Sequence, residues 1–282
     1  MQIYKQYNQQ ELNLQYNTRI DVPDFETYLE RWKTLSRVAE NELYFIKDIP
    51  YGNLHRECLD VFPSGVAGSK TLLFIHGGYW QRFDKSLFYF IAGTFAKYGV
   101  TTVLMNYPLA PDATMDIIVD SCKKARHWLS DHLTRLNGDP NQIFIAGHSA
   151  GAHLAAMLLV MEKKEINRHA IKGVCLMSGL FNLLPVQLSY INDVVQMNKA
   201  MALTNSPAFL IPLQSVNLLL AVGEAETAEF KDQSNELYSN WKNKISSIEV
   251  LHLAGLHHFS IIDSIHDSNS LLHTSMRKLM DI

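Results

Sequence analysis

Short apolar runs and longer helix-like runs alternate along most of this 282-residue chain. Eight runs, at 43–48, 57–62, 71–75, 100–106, 142–146, 171–177, 216–222 and 248–253, are mostly short, β-branched or apolar, and bounded by turn residues. That pattern predicts strands. Stretches at 85–97, 115–136, 150–163, 187–201, 227–243 and 268–280 predict helices. Residues 1–40 are polar with one helical stretch, 24–39, and are expected to wrap the main body as an N-terminal helical extension. No repeat, low-complexity tract or Pro/Gly/Ser linker marks a boundary, so residues 1–282 read as one domain. The last six strands alternate with helices, and several are almost wholly apolar, which predicts a buried, mostly parallel sheet. The first two strands follow each other across Tyr51-Gly52-Asn53, a hairpin-type turn.

Composition narrows the function. Lys and Arg number 25 against 28 Asp and Glu, a net charge of −3, which gives no electrostatic case for nucleic acid or an anionic membrane as partner. Three scattered cysteines, Cys58, Cys122 and Cys175, without a C-x-x-C pair, read as buried reduced thiols. The N-terminus lacks a basic segment followed by an apolar one, and no run of about 18 apolar residues occurs. A soluble, cytoplasmic protein acting on a small molecule is expected, and a homodimer is compatible with this.

The chemistry centres on Gly147-His148-Ser149-Ala150-Gly151. This is a G-x-S-x-G pattern with a β-like run before it (143–146) and an apolar helix-like run after it (153–160), the strand–turn–helix setting of a nucleophile elbow. A side chain at either flanking glycine would clash in so tight a turn, and the serine is forced into strained backbone geometry with its hydroxyl exposed. A hairpin followed by βα alternation around such an elbow is the layout of an α/β-hydrolase fold, an eight-stranded, mostly parallel sheet flanked by helices.

Serine is a poor nucleophile at neutral pH and needs a base held by an orienting acid. In this fold the chain order is Ser, then Asp or Glu, then His. His257 and His258 both sit just past the last strand, and His258 is preferred because it immediately precedes Phe259, an apolar anchor for the loop. Glu224 and Glu226 both follow strand 216–222, and at most one can be the acid. Glu229 and Asp232 lie on the next helix, where surface positions are expected. His76-Gly77-Gly78-Tyr79-Trp80 directly follows strand 71–75 and suits an oxyanion loop, with N–H donors around Gly78 and Tyr79 joining that of Ala150. His76 is expected to brace this loop, as is the proline-stiffened Asn106-Tyr107-Pro108-Leu109-Ala110-Pro111. His148 and His153 are five apart, which does not put two ligands on one helix face, and no carboxylates stand at ligand spacing; no metal site is expected.

These segments resemble the kynurenine formamidases (arylformamidases) and their bacterial esterase-like relatives. The carriers are 76–80, similar to the family's HGGxW; Ala146 to His153, similar to its elbow; Glu226-Thr227-Ala228-Glu229-Phe230; and His258-Phe259. Tyr16-Asn17-Thr18-Arg19 and Tyr51-Gly52 also look like family segments, so the likeness spans most of the chain. The resemblance implies Ser149 as nucleophile, His258 as base and the amides of Gly78 and Tyr79 as oxyanion donors. It places the acid at Glu226, where many members carry Asp.

The implied activity is hydrolysis of a small aryl formamide such as N-formyl-kynurenine, with no cofactor. A general short-chain carboxylesterase would use the same groups with a looser pocket, and a non-catalytic binding module is a third class, against which the intact Ser, His and Glu speak. Trp80 and Phe83 are expected as walls of an aromatic slot, and residues 187–201 as an overhanging helix that shapes the pocket.

Overall fold

The computed structural model describes residues 1–20, 22–160 and 171–282. One sheet contains eight strands: β1 (Ile46–Pro50), β2 (Cys58–Phe62), β3 (Ser69–Ile75), β4 (Thr101–Met105), β5 (Gly138–His148), β6 (Ile171–Met177), β7 (Asn217–Gly223) and β8 (Ser247–Leu253). Their order is β1-β2-β4-β3-β5-β6-β7-β8. β1 and β2 form the expected antiparallel hairpin, β2 runs antiparallel to β4, and every other neighbour is parallel.

Period-two alternation sorts the core into two layers. Leu73, Ile75, Val103 and Met105 face one side, with the buried residues of helices Met115–His132, Ala150–Met157 and Ala228–Trp241. Leu72, Phe74 and Leu104 face the other, with those of helices Phe25–Glu42, Phe90–Ala96, Ser260–His266 and Leu271–Met280. Both faces are covered, which is why the central strands are continuous apolar runs.

The topology places the site. From β3 the chain moves outward to β4, then crosses back to β5 on the opposite flank of β3. Loops leaving the carboxyl ends of β3 and β5 therefore diverge from a crevice, the usual binding position in an open α/β sheet.

Several elements differ from the sequence expectation. The stretch 187–201 is not one helix but lies among three short ones, Leu184–Gln187, Asn192–Val195 and Lys199–Thr204. Its polar side chains compete with helical hydrogen bonding. Asn192 binds the N–H and the carbonyl of Met197 at 2.7 and 3.0 Å, Gln196 turns left-handed at φ 56°, and Asn198 caps the next helix. The stretch 85–97 divides into a 3-10 turn, Lys85–Phe88, and helix Phe90–Ala96. The helix expected at 150–163 is seen as Ala150–Met157, and residues 161–163 lie outside the described residues. Helices Gln9–Gln15 and Ser260–His266 were not anticipated. In the N-terminal segment, Trp32 Nε1 donates to Asp263 at 2.5 Å and the Ser36 hydroxyl to the Leu87 carbonyl at 2.9 Å, fixing helix Phe25–Glu42 on the sheet layer. Among the described residues no helix is long and apolar enough to cross a membrane.

Candidate active site

Ser149 stands between β5 and helix Ala150–Met157 with φ 56° and ψ −121°, a conformation costly for a residue with a Cβ. Its N–H donates to the Met177 carbonyl at 2.8 Å, which ties the turn to β6. The flanking glycines are sterically required. A Cβ on Gly147 would lie 2.2 Å from the Gly151 carbonyl oxygen, and one on Gly151 would lie 2.0 Å from that of Ile75.

Glu226 and His258 meet from separate loops. His258 Nδ1 and Glu226 Oε2 are 2.7 Å apart, and both side chains are nearly inaccessible. A carboxylate only accepts, so Nδ1 carries the proton and Nε2 of the neutral ring keeps its lone pair. The other carboxylate oxygen accepts from the Gly223 N–H at 2.9 Å and from the Ser178 hydroxyl in a short hydrogen bond. Ser178 was missed by sequence reasoning; a buried serine at φ 50° just past β6 leaves no distinctive pattern. Glu224 is exposed and takes no part. His257 points elsewhere: its ring lies 3.1 Å from the Tyr28 hydroxyl and accepts from the Phe259 and Ser260 N–H groups at 3.2 and 3.3 Å.

His148 holds the loop that carries His258. Its Nε2–H donates to the His258 carbonyl at 2.9 Å, and the two rings are 4.6 Å apart. Burial, helped by the neighbouring His258, holds its pKa well below the ordinary histidine value and keeps it neutral. Among the described residues no hydrogen bond joins the Ser149 hydroxyl to His258; such bonds are often loose without substrate.

The loop after β3 approaches the elbow closely. A Cβ on Gly77 would sit 2.9 Å from the His148 carbonyl oxygen and 3.0 Å from Ser149 Cβ. The loop is strained, with φ 107° at Gly78, 51° at Tyr79, 57° at Trp80 and 74° at Phe83. It is tied down by Tyr79 Oη donating to the Tyr16 carbonyl (2.7 Å), by the Ala110 N–H on the Trp80 carbonyl (2.8 Å) and by Tyr107 Oη on the His76 carbonyl (2.8 Å). His76 and the 106–111 loop thus brace this turn as expected. Among the described residues no backbone hydrogen bond uses the N–H of Gly78, Tyr79 or Ala150.

Ser149, His258, Gly78 and Tyr79 share one cavity of about 450 Å³, a size that suits a small molecule. Phe83 lines it, with Phe25, Trp32, Tyr190 and Ile191. Trp80 does not. Its indole is completely buried, and Nε1–H donates to His153 Nδ1 at 3.2 Å. His153 Nε2 in turn bonds the Asn205 carbonyl at 2.8 Å, and burial pulls its pKa down to about 4. Trp80 is therefore a strut of the loop, not the substrate wall expected: an indole N–H taken out of water needs a partner, and a buried neutral histidine supplies one. The overhang reaches the cavity through Tyr190, Ile191, Asp193 and Val194.

Residues 72–259 match a family model described as the alpha/beta hydrolase fold. The chain belongs to the α/β-hydrolase family. It is similar to a kynurenine formamidase of Danio rerio, 31% identical over 99% of both chains, and to one of Salmo salar, 30% identical over 99% of both. Among solved structures it is similar to a protein of Silicibacter sp. TM1040 with a provisional thioesterase description, at a TM-score of 0.84 and 26% identity, covering 94% of this chain and 98% of that one. As a member of this family the chain is a hydrolase. Its likeness to the formamidases spans residues outside the family model, including 16–19, which carry Asn17, Thr18 and Arg19 into the cavity wall.

Proposed function

We propose that the chain is a serine hydrolase that cleaves N-formyl-kynurenine or a closely similar small aryl formamide to formate and the free aryl amine. The observation that carries the mechanism is the 2.7 Å Glu226–His258 contact, with His258 and Ser149 lining one cavity. With Nδ1–H engaged, His258 Nε2 takes the Ser149 proton as Oγ bonds to the formyl carbon. The carbonyl electrons move onto oxygen, where the amides of Gly78, Tyr79 and Ala150 stabilise them. Collapse breaks the C–N bond as His258 hands its proton to the departing aniline nitrogen. Water, deprotonated by the same ring, then attacks the formyl-serine ester; the C–Oγ bond breaks, His258 returns the proton to Ser149 Oγ, and formate leaves.

The choice of substrate is supported by the full-length likeness to the Danio rerio formamidase and by the aromatic wall that Phe83 contributes. The second reading, a short-chain carboxylesterase, would use the same Ser149, His258 and Glu226 with a looser pocket. The two readings separate in one experiment, kcat/KM for N-formyl-kynurenine against a short-chain p-nitrophenyl ester. The formamidase reading expects efficient formamide cleavage. Ester cleavage with formamide turnover orders of magnitude lower would move the assignment to the esterase.

A further inference from the structure

Two guanidiniums at the cavity have no part in the chemistry above. Arg19 leaves the N-terminal segment and Arg82 the loop after β3, and both line the same cavity as Ser149. Among the described residues neither enters an ion pair. Arg19 instead lies over the Phe25 ring, its Cζ 3.9 Å from the centroid, which orients the guanidinium without neutralising it. Both share that cavity wall with Tyr190, and their charge opposes the rise in pKa that burial imposes on its hydroxyl. Asp193, from helix Asn192–Val195, lines the same cavity, and among the described residues it too has no cationic partner.

Two exposed guanidiniums with no counter-ion among the described residues, beside an aromatic wall, repel one another, a cost even in a chain that is acidic overall. An incoming carboxylate removes that cost, and guanidiniums are shaped to bind one through paired N–H donors. We propose that Arg19 and Arg82 hold the carboxylate, and Asp193 the ammonium, of a zwitterionic amino-acid arm on the leaving amine, so that these three residues set specificity. This rests on the reading of Ser149 as the acyl-transfer centre, and it concerns the arm that never reacts.

The test compares N-formyl-kynurenine with 2-formamidoacetophenone, which keeps the aryl formamide and lacks the arm. In an Arg19→Gln, Arg82→Gln double variant, the ratio of the two kcat/KM values falls about ten-fold, since part-exposed ion pairs are individually modest. The fall is carried by KM, and double Lys replacement restores part of it. Asp193→Asn lowers the ratio of N-formyl-kynurenine to its des-amino analogue. An unchanged ratio, or an equal loss on both substrates, overturns the proposal. Binding of kynurenine itself, followed by calorimetry, needs no turnover and separates the two claims. If the wild type cleaves neither formamide yet binds kynurenine, and the double variant binds it about ten-fold more weakly, the subsite stands and the formamidase reading falls. Kynurenine binding equal in the two proteins, or missing from the wild type, overturns the subsite whatever the activity.

Discussion

Replacing Glu226 by Gln changes one atom, and the surroundings dictate where that atom goes. One carboxylate oxygen accepts from the Gly223 N–H and the Ser178 hydroxyl, the other from His258 Nδ1. The Gly223 N–H is a fixed donor, so the glutamine oxygen stays there and the amide nitrogen faces His258. An N–H facing Nδ1 forces that nitrogen to accept, which moves the ring proton to Nε2 and disables the base. The flipped amide keeps the working tautomer but leaves the buried Gly223 donor unpaired, at a cost of about 1–3 kcal/mol. It is therefore populated at roughly one part in 5 to one part in 150. Even then a neutral oxygen replaces a carboxylate beside the forming imidazolium, a further loss of about 1.5–3 kcal/mol. The two factors together predict a fall in kcat of about 10²–10⁴, in line with the loss of about 10⁴ for an Asp-to-Asn change in a triad on another fold. The assay is initial-rate hydrolysis of a p-nitrophenyl ester, with circular dichroism to confirm folding and the exposed Glu224→Gln as control. A loss below ten-fold in the Glu226 variant, or an equal loss in the control, refutes the reasoning.

Other consequences follow from the same contacts. His257→Ala keeps activity within about ten-fold while His258→Ala loses several orders of magnitude, because the His257 ring serves Tyr28 and the Phe259–Ser260 turn; a reversed ranking in esterase rates contradicts this. Trp80→Phe strands His153 Nδ1 and lowers stability by about 1–3 kcal/mol, while kcat/KM on formamide and ester decline together; a selective KM effect on the aryl formamide would return Trp80 to the substrate wall. His76 and His153 are held neutral by burial, with pKa values down to about 4. The unfolded chain takes up protons near pH 6.5 and the folded one does not, so this stability is present above pH 6.5 and is lost as pH falls towards 4. At pH 5 the two residues together cost about 4 kcal/mol, read as a lower urea midpoint than at pH 7; a flat profile refutes it.

The sheet was legible because its strands are buried on both faces, so that runs such as 171–177 need no help from tertiary context to be recognised. The elbow was legible because Gly147 and Gly151 have no room for a Cβ, a constraint that leaves its mark directly in sequence. The 187–201 region was misread because apolar spacing alone does not register the local bonds made by Asn192 and Asn198. Trp80 was misread for a related reason: its partner, His153, is 73 positions away, and an aromatic residue beside a catalytic loop looks the same whether it faces the ligand or the core. Ser178 and the N-terminal contribution of residues 17–19 to the cavity depend wholly on the folded arrangement. The residues alone left Glu224 and Glu226 open, since both follow the same strand, and only the folded arrangement brings Glu226 to His258.

The central claim is that Ser149 attacks the formyl carbon of an aryl formamide. The most direct measurement is formate release from N-formyl-kynurenine by the wild type and by Ser149→Ala at equal enzyme concentration. Efficient release by the wild type and a loss of several orders of magnitude in the variant are expected. Comparable rates in the two proteins would remove Ser149 from the chemistry.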